Sequence, residues 1–270
     1  MPEKLNETSL DTVAAAICYA MGIDPPEFAA GTNPVLRSYV DEKLHGEKCS
    51  RVLMYNPDAV AEWICRKYPA LLREAAERTD IEVPLRSVMP SVTPVCFGTM
   101  YTGAQPAVHG IMKYEKPVIR IDTVFDAVTR AGKKAAIVAD SECSMGRIFL
   151  EREMDYYIYD TLEEVNAKAM ELITEDRYDL LVVYNGNYDH WMHKYSPEGI
   201  EALSELRCNS EMFAALSVLV ERHWKKHNTL LGFAMDHGCH EIDGKCGSHG
   251  LDMPEDLNIV HLYKILPRTV

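Results

Sequence analysis

The sequence predicts an α/β protein, a single domain whose mostly parallel central sheet carries helices on both faces, and three observations lead to that prediction. Short, continuously apolar runs at 51–55, 134–139, 179–184 and 229–235 alternate with segments of helix length, the pattern of strands joined by crossover helices. The runs are apolar at nearly every position, as in strands covered on both faces. Polar turn signals stand where several of them stop: Asn56-Pro57-Asp58, Asn185-Gly186-Asn187 and Asp236-His237-Gly238. In open α/β sheets that carboxyl edge is where sites are built.

In chain order, residues 1–48 read as a helical segment packed on the core. An alanine-rich stretch from Leu10 to Met21 is broken by Asp24-Pro25-Pro26 and Gly31-Thr32-Asn33-Pro34, and nothing catalytic is expected there. Residues 49–270 form the main domain. The strand at 51–55 is followed by Asn56, an N-cap candidate with Pro57 behind it, and then by Val60, Trp63, Ile64, Tyr68, Leu71 and Leu72 at helical spacing. Ser91 and Thr93 precede a helix-length segment, either as caps or at a helix amino terminus suited to an oxyanion or phosphate.

An extended stretch is expected at 118–121, a helix from Val124, a strand at 134–139 and another at 156–159. Thr161 with Glu164 makes a capping box for a helix to about residue 174. After the strand at 179–184, Asp189 and His193 stand four apart, on one face of a helical turn, where both can grip the same ion. A long amphipathic helix at 198–226 leads into the strand at 229–235, and 257–266 is a terminal strand with His261 packed inside it.

The densest chemistry lies between Met235 and Gly250. Asp236, His237, Cys239, His240, Glu241, Asp243, Cys246 and His249 are all ligand types, set among glycines that allow sharp turns. Asp and His donors suit zinc or another divalent transition ion.

Composition narrows the functional classes. The chain has 270 residues, 47% hydrophobic and 26% charged, with a net charge of −13, which argues against a nucleic-acid surface. Anionic substrates remain compatible if metal ions supply positive charge locally. No basic leader precedes an apolar core and no membrane-length apolar run occurs, so a cytoplasmic location without membrane contact is expected. The eight scattered cysteines suggest free thiols.

Three motifs, in this order, resemble the alkaline phosphatase superfamily, most closely its type I phosphodiesterase/nucleotide pyrophosphatase branch. Thr93 stands nine residues before Thr102-Gly103, followed by Pro106-Ala-Val-His-Gly-Ile111; Asp189, His193 and Pro197 follow; Asp236-His237-Gly238 and His249-Gly250 close the set. The resemblance implies an alkaline phosphatase-like fold and a two-metal site, with zinc expected and manganese or iron compatible. Asp189, His193 and His249 would hold one ion, Asp236 and His237 the other, beside a Thr93 nucleophile that forms a phospho-threonine. The family's remaining ligand is an aspartate at the end of the first strand, where this chain has Asn56; Asp58 is the nearby substitute.

The implied function is hydrolysis of a small phosphate ester, a nucleotide among the candidates, with Tyr188, Trp191 and Tyr195 available either to stack on a base or to pack. Phosphomonoester hydrolysis, phosphonate hydrolysis, phosphomutase chemistry and a non-catalytic binding role use the same core. A sulfatase would need a cysteine or serine at the position of Thr93, and Cys96 is three residues off register. Structural zinc held by Cys239, His240, Cys246 and His249 is the remaining alternative.

Overall fold

The structure, a computed structural model, describes residues 4–269. Helices α1 (Thr12–Met21) and α2 (Pro34–Leu44) open the chain. Asn33 caps α2, its side chain accepting from Leu36 N–H at 3.0 Å. Strand β1 (Arg51–Pro57) follows. The stretch expected as one helix at 60–72 is instead α3 (Glu62–Lys67), a single 3-10 turn at Pro69–Leu71 and α4 (Arg73–Ala76). Pro69 supplies the reason, since it lacks an N–H and pushes the preceding residue out of helical geometry; Tyr68 sits at φ −121°, ψ 51°.

Strand β2 (Ile81–Arg86) was not expected. Its signal was an alternation of Ile81, Val83 and Leu85 interrupted by Pro84, which suits an edge strand. Helices α5 (Thr93–Thr102), α6 (Pro106–His109) and α7 (Val124–Arg130) lead to β3 (Ala135–Asp140). The extended 118–121 segment joins no sheet: Arg152 Nη2 donates to the carbonyls of Ile119 and Ile121, and Ile119 N–H donates to Ile148 O. After α8 (Met145–Ile148) come β4 (Asp155–Tyr159) and α9 (Leu162–Glu175), the latter capped by Thr161 as the sequence predicts.

Strand β5 (Leu180–Asn185) precedes α10 (Asn187–Tyr195) and the long α11 (Ile200–His223). Strand β6 (Thr229–Phe233) leads into a small hairpin, β7 (His240–Ile242) and β8 (Cys246–Ser248); α12 (Pro254–Leu257) and β9 (Asn258–Leu266) end the fold.

The main sheet has seven strands in the order β2-β9-β6-β1-β5-β3-β4. Only β9 runs against its neighbours, pairing antiparallel with both β6 and β2. Side chains alternate across a strand, and β1 shows which helices lie where. Tyr55 donates to Asn209 of α11, whereas Asn56 accepts from Tyr101 of α5, so helices cover both faces. Among the described residues no helix is long and apolar enough to cross a membrane.

Register decides where chemistry can collect. Pro57 pairs with Asn185, and Tyr55 with Phe233, so β1, β5 and β6 stop side by side and the residues just after them emerge at one edge. Gly232 lies in the middle of this sheet. A Cβ there would stand 2.7 Å from Met54 Sδ and 2.8 Å from Tyr263 Cε1, which is overpacking of a closed core. Gly232→Ala is therefore expected to cost about 1–3 kcal/mol, read as a lower urea midpoint at constant slope; an unchanged midpoint would contradict this packing.

Candidate metal and phosphate centre

Among the described residues, two groups of metal-ligating side chains converge: Asp58, Asp236 and His237, and Asp189, His193 and His249. Five of these six are the ligands expected from sequence. The sixth position differs, because Asp58 stands where Asn56 was expected. Asn56 lies inside β1, which ends at Pro57, whereas Asp58 is the first residue of the turn that follows. Asn56 is thereby held beneath α5, where it accepts from Tyr101 OH at 2.6 Å and donates to Ala234 O at 2.7 Å. Nor is it an N-cap, since it lies inside β1 and α3 starts only at Glu62.

Asp58 reaches the site because it sits in a turn, not in a helix. Ala59 adopts φ 61°, and this reversal aims its N–H at Asp236 Oδ1, 3.2 Å away. Asp58 N–H donates to Asn185 O at 3.0 Å, and its Oδ2 accepts from Tyr184 OH. Its Oδ1 then faces His237 Nε2 and Thr93 Oγ1, each at 3.4 Å. Asp236 Oδ2 lies 3.4 Å from the same Nε2.

In the second group, Asp189 and His193 share one turn of α10 as their spacing predicts. Asp189 Oδ1 is 3.3 Å from His193 Nε2 and 3.4 Å from His249 Nε2, and the two Nε2 atoms are 3.1 Å apart. The imidazole of His249 also faces that of His237, with ring centroids 4.2 Å apart, which brings the two groups together.

The histidines are prepared as ligands. His193 Nδ1 is paired with Gly247 O at 3.0 Å, His249 Nδ1 with Ser91 O at 3.0 Å and His237 Nδ1 with Gly238 O at 2.9 Å. A carbonyl oxygen only accepts, so each Nδ1 carries hydrogen, and in the neutral ring each Nε2 presents a lone pair to the site. Backbone orientation of the far nitrogen is a recurrent feature of histidine ligands. Lone pairs then face carboxylate oxygens, and Asp189 Oδ1 and Asp236 Oδ2 are buried without a hydrogen-bond partner. Such an arrangement is satisfied by a cation, and the O/O/N and O/N/N donor sets fit divalent transition ions.

The electrostatics agree. Burial, and then the charge of Asp189, push the Asp58 carboxyl up to about 7, and burial with the Asp58 charge raises Asp236 well above the usual carboxylate range. Burial lowers His237 to about 3, keeping it neutral. Burial also works against ionisation of Asp189, yet His193 and His249, donating and charged when protonated, outweigh it and hold that carboxyl below its ordinary value, while Asp189 raises His193 in turn; a bound ion would take the place of those protons.

Thr93 is the first residue of α5, a fully buried ten-residue helix whose positive end faces the site. Its hydroxyl lies 3.3 Å from His237 Nε2. From here a cavity of about 490 Å³ opens, lined by Asp58, Thr93 and Asp189 at one end and by Tyr114, Lys116 and Asp140 further out. Tyr114 and Tyr184 are the site residues that sequence reasoning missed. Tyr184 ends an apolar run where its packing role hides its hydroxyl, and Tyr114 carries no local signal at all. The three aromatics offered for base stacking do other work. Tyr188 is buried and donates to Pro197 O, while Trp191 and Tyr195 stack on each other at 5.6 Å under Lys194.

Cys239, His240 and Cys246 belong to neither ligand group. Cys239 packs against Tyr188 OH, and His240 Nδ1 is 2.7 Å from Asp256 Oδ1. A larger cavity of about 620 Å³ lies elsewhere, beside residues 118–122 and 150–152. Its charged lining is paired internally as Arg120–Glu151, Arg130–Asp122 and Arg152–Asp126.

A mostly parallel sheet that gathers a threonine and two Asp/His clusters at its carboxyl edge is the architecture of the alkaline phosphatase superfamily. Within it, the profile of the type I phosphodiesterase / nucleotide pyrophosphatase family matches residues 55–263, and the chain belongs to that family. Similar solved structures include murine ectonucleotide pyrophosphatase / phosphodiesterase 5, with a TM-score of 0.59 at 17% identity over 72% of this chain and 58% of that one. An inactive variant of that murine protein in complex with AMP gives 0.60, with the same identity and coverage. Phosphonoacetate hydrolase from Sinorhizobium meliloti 1021 in complex with phosphonoformate gives 0.55 at 19% identity, over 73% of this chain and 59% of that one. The chain spans just under three fifths of the length of these proteins, and at such identities the likeness is one of fold. No curated protein matches the chain.

Two substitutions separate the neighbouring polar positions. Asn56→Ala leaves a buried hydroxyl and a carbonyl without partners, a loss of about 1–3 kcal/mol, with uptake of divalent ions unchanged. Asp58→Asn, by contrast, is expected to lower bound transition metal by one equivalent in elemental analysis. An Asn56→Ala protein that loses that equivalent would reverse the assignment.

Proposed function

We propose that this protein is a metal-dependent phosphoric ester hydrolase that cleaves small phosphodiesters, nucleotide-type esters among them, through a covalent phospho-threonine on Thr93. The observation that carries this reading is the placement of Thr93 Oγ1. It stands at the amino terminus of α5, 3.4 Å from Asp58 Oδ1 and 3.3 Å from His237 Nε2, at the inner end of a cavity sized for a small ester.

Asp58, Asp236 and His237 would hold one divalent ion, and Asp189, His193 and His249 a second. Zinc suits both donor sets, and manganese or iron would accept the same ligands. Bound ions would acidify the threonine hydroxyl and neutralise charge on the phosphoryl oxygens. The protein's own groups do the rest. Asp58 Oδ1 accepts the hydroxyl hydrogen of Thr93 and so turns an oxygen lone pair toward the cavity. The bond from Thr93 Oγ1 to phosphorus would form as the bond to the leaving alkoxide breaks, the hydroxyl proton passing by way of Asp58 to that alkoxide so that it departs as the alcohol; water would then add to phosphorus and return one hydrogen to Oγ1, releasing the monoester. The positive end of α5 favours the anionic phosphoryl group of the phospho-threonine, which is still a diester and carries one negative charge.

The outer cavity receives the leaving group. Tyr114, 60% exposed, offers a ring face, and Lys116 lies 5.5 Å from that ring. The diester reading rests on the family; the AMP and phosphonate ligands of the similar structures give the natural comparison substrates.

Thr93→Ala is expected to reduce hydrolysis of bis(p-nitrophenyl) phosphate by on the order of 10³-fold or more while leaving the metal content unaltered. Activity that survives this substitution would remove Thr93 from the mechanism. The pH dependence follows from the carboxyls. Below pH 7 the ion-free Asp58 holds a proton that an incoming ion must displace, whereas His237, lowered to about 3, offers no competition. Apparent affinity at this group of ligands should therefore climb as pH rises toward and through 7, by about tenfold per unit for each proton released. Calorimetric titration at pH 6 and pH 8 in buffers of different ionisation enthalpy measures it, and equal affinity without proton release would contradict it.

A further inference from the structure

We infer that Tyr184 is a positioning residue that turns Asp58 into a one-oxygen metal ligand, and that Gly186 is the clearance that allows it to do so. The inference rests on the two-ion reading above and concerns how this chain aims a carboxylate from the turn that follows β1.

Asp58 lies past the last paired residue of β1, which ends at Pro57. Its N–H is tied to Asn185 O, but that backbone bond leaves the side-chain torsions, and so the side chain's direction, free, and the residue is only 1% exposed. Tyr184 supplies that direction. It is the penultimate residue of β5, 5% exposed, with its ring set edge-on against Phe97 at a centroid distance of 5.8 Å and 75° between planes. From this fixed ring the hydroxyl donates to Asp58 Oδ2. The other oxygen, Oδ1, is left facing His237 Nε2 and Thr93 Oγ1.

The partner carboxylate is prepared in the same way by a different donor. Asp236 Oδ1 accepts the Ala59 N–H at 3.2 Å, and its Oδ2 is left without a partner. In each carboxylate one oxygen is tied and the other aimed at the ion position. Hydrogen bonds to the non-ligating oxygen fix ligand orientation, and their loss typically weakens metal affinity by about 10–100-fold.

Gly186 completes the device. A Cβ at this position would lie 2.6 Å from the Tyr184 hydroxyl and 3.1 Å from both Cε1 and Cζ of the ring. A side chain here would displace the phenol from Asp58, and the ring's contact with Phe97 leaves it little room to retreat.

The test is titration of the ion-free full-length protein with cobalt(II), followed by visible absorption, with thermal unfolding of the ion-free form recorded in parallel. The parent is expected to take up two equivalents. Tyr184→Phe should bind one as the parent does and the other about 10–100-fold more weakly, at an unfolding temperature close to the parent's. Gly186→Ala, which keeps the phenol and moves its hydroxyl, should give the same selective loss and serves if Tyr184→Phe does not fold. Parent-like affinity for both equivalents in a folded variant would overturn the inference. So would equal weakening of both with a lowered unfolding temperature, which marks a general packing role. A parent that binds fewer than two equivalents would overturn the two-ion reading itself, and that failure is visible before any substitution is made.

Discussion

Everything at the carboxyl edge of this sheet answers one electrostatic constraint: acceptor atoms are held facing other acceptor atoms, fully buried in the group of Asp58, Asp236 and His237 and partly exposed in the other. Two imidazole nitrogens 3.1 Å apart converge on one oxygen of Asp189, and a third imidazole nitrogen meets Asp58 and Asp236 at 3.4 Å. Without a cation, such a cluster resolves itself by taking up protons, and the raised Asp58 and Asp236 carboxyls express that demand. A divalent ion removes the conflict at lower cost, because one charge serves several lone pairs at once. The same feature reconciles an acidic chain, with net charge −13, with the anionic ester proposed as its substrate.

Holding such a cluster in place requires a rigid frame, which the parallel sheet supplies. Strands β1, β5 and β6 are buried along nearly their whole length and end in register. Three short connections then deliver Asp58, Asp189 and Asp236 within a few residues of the strand ends. Backbone carbonyls do the finer work. Gly247, Ser91 and Gly238 each take the Nδ1 hydrogen of one histidine, so the ligating nitrogen is chosen by main-chain geometry. Gly247 shows why a glycine serves there, because a Cβ would come within 2.6 Å of Met192 Sδ and 2.8 Å of Pro197 Cδ.

The sequence was informative where chemistry and local geometry coincide. Asp189 and His193 are legible because helical periodicity alone puts them on one face, and the Asp236 to Gly250 stretch because ligand residues crowd among glycines. The β1, β3, β5, β6 and β9 runs are legible for the same kind of reason, being apolar enough to announce their burial, and the half-buried edge strand β4 through its tyrosines and isoleucine. It failed where tertiary partners decide. Residues 118–121 have strand composition, but Arg152 satisfies their carbonyls in place of a neighbouring strand. The break at Pro69 was written in the chain and underweighted against a run of well-spaced apolar residues. Tyr114 reaches the cavity from a loop, and no local pattern marks a loop residue's direction.

Asn56 and Asp58 show how two neighbouring polar residues at one strand end divide between a packing role and a candidate ligand role. Pairing of β1 through Pro57 holds Asn56 inside the strand beneath α5, while Asp58 begins the buried turn that follows. An ionised aspartate at position 56 would be a buried charge, with Tyr101 as its only remaining donor there and the Ala234 carbonyl opposing it; the amide satisfies both neighbours. At position 58 the charge becomes useful, since the reversal at Ala59, the Asn185 carbonyl and the Tyr184 hydroxyl all fix it against His237. What places this candidate ligand is therefore the end of β1's pairing with β5 together with the reversal at Ala59, since Asp58 is as fully buried as Asn56.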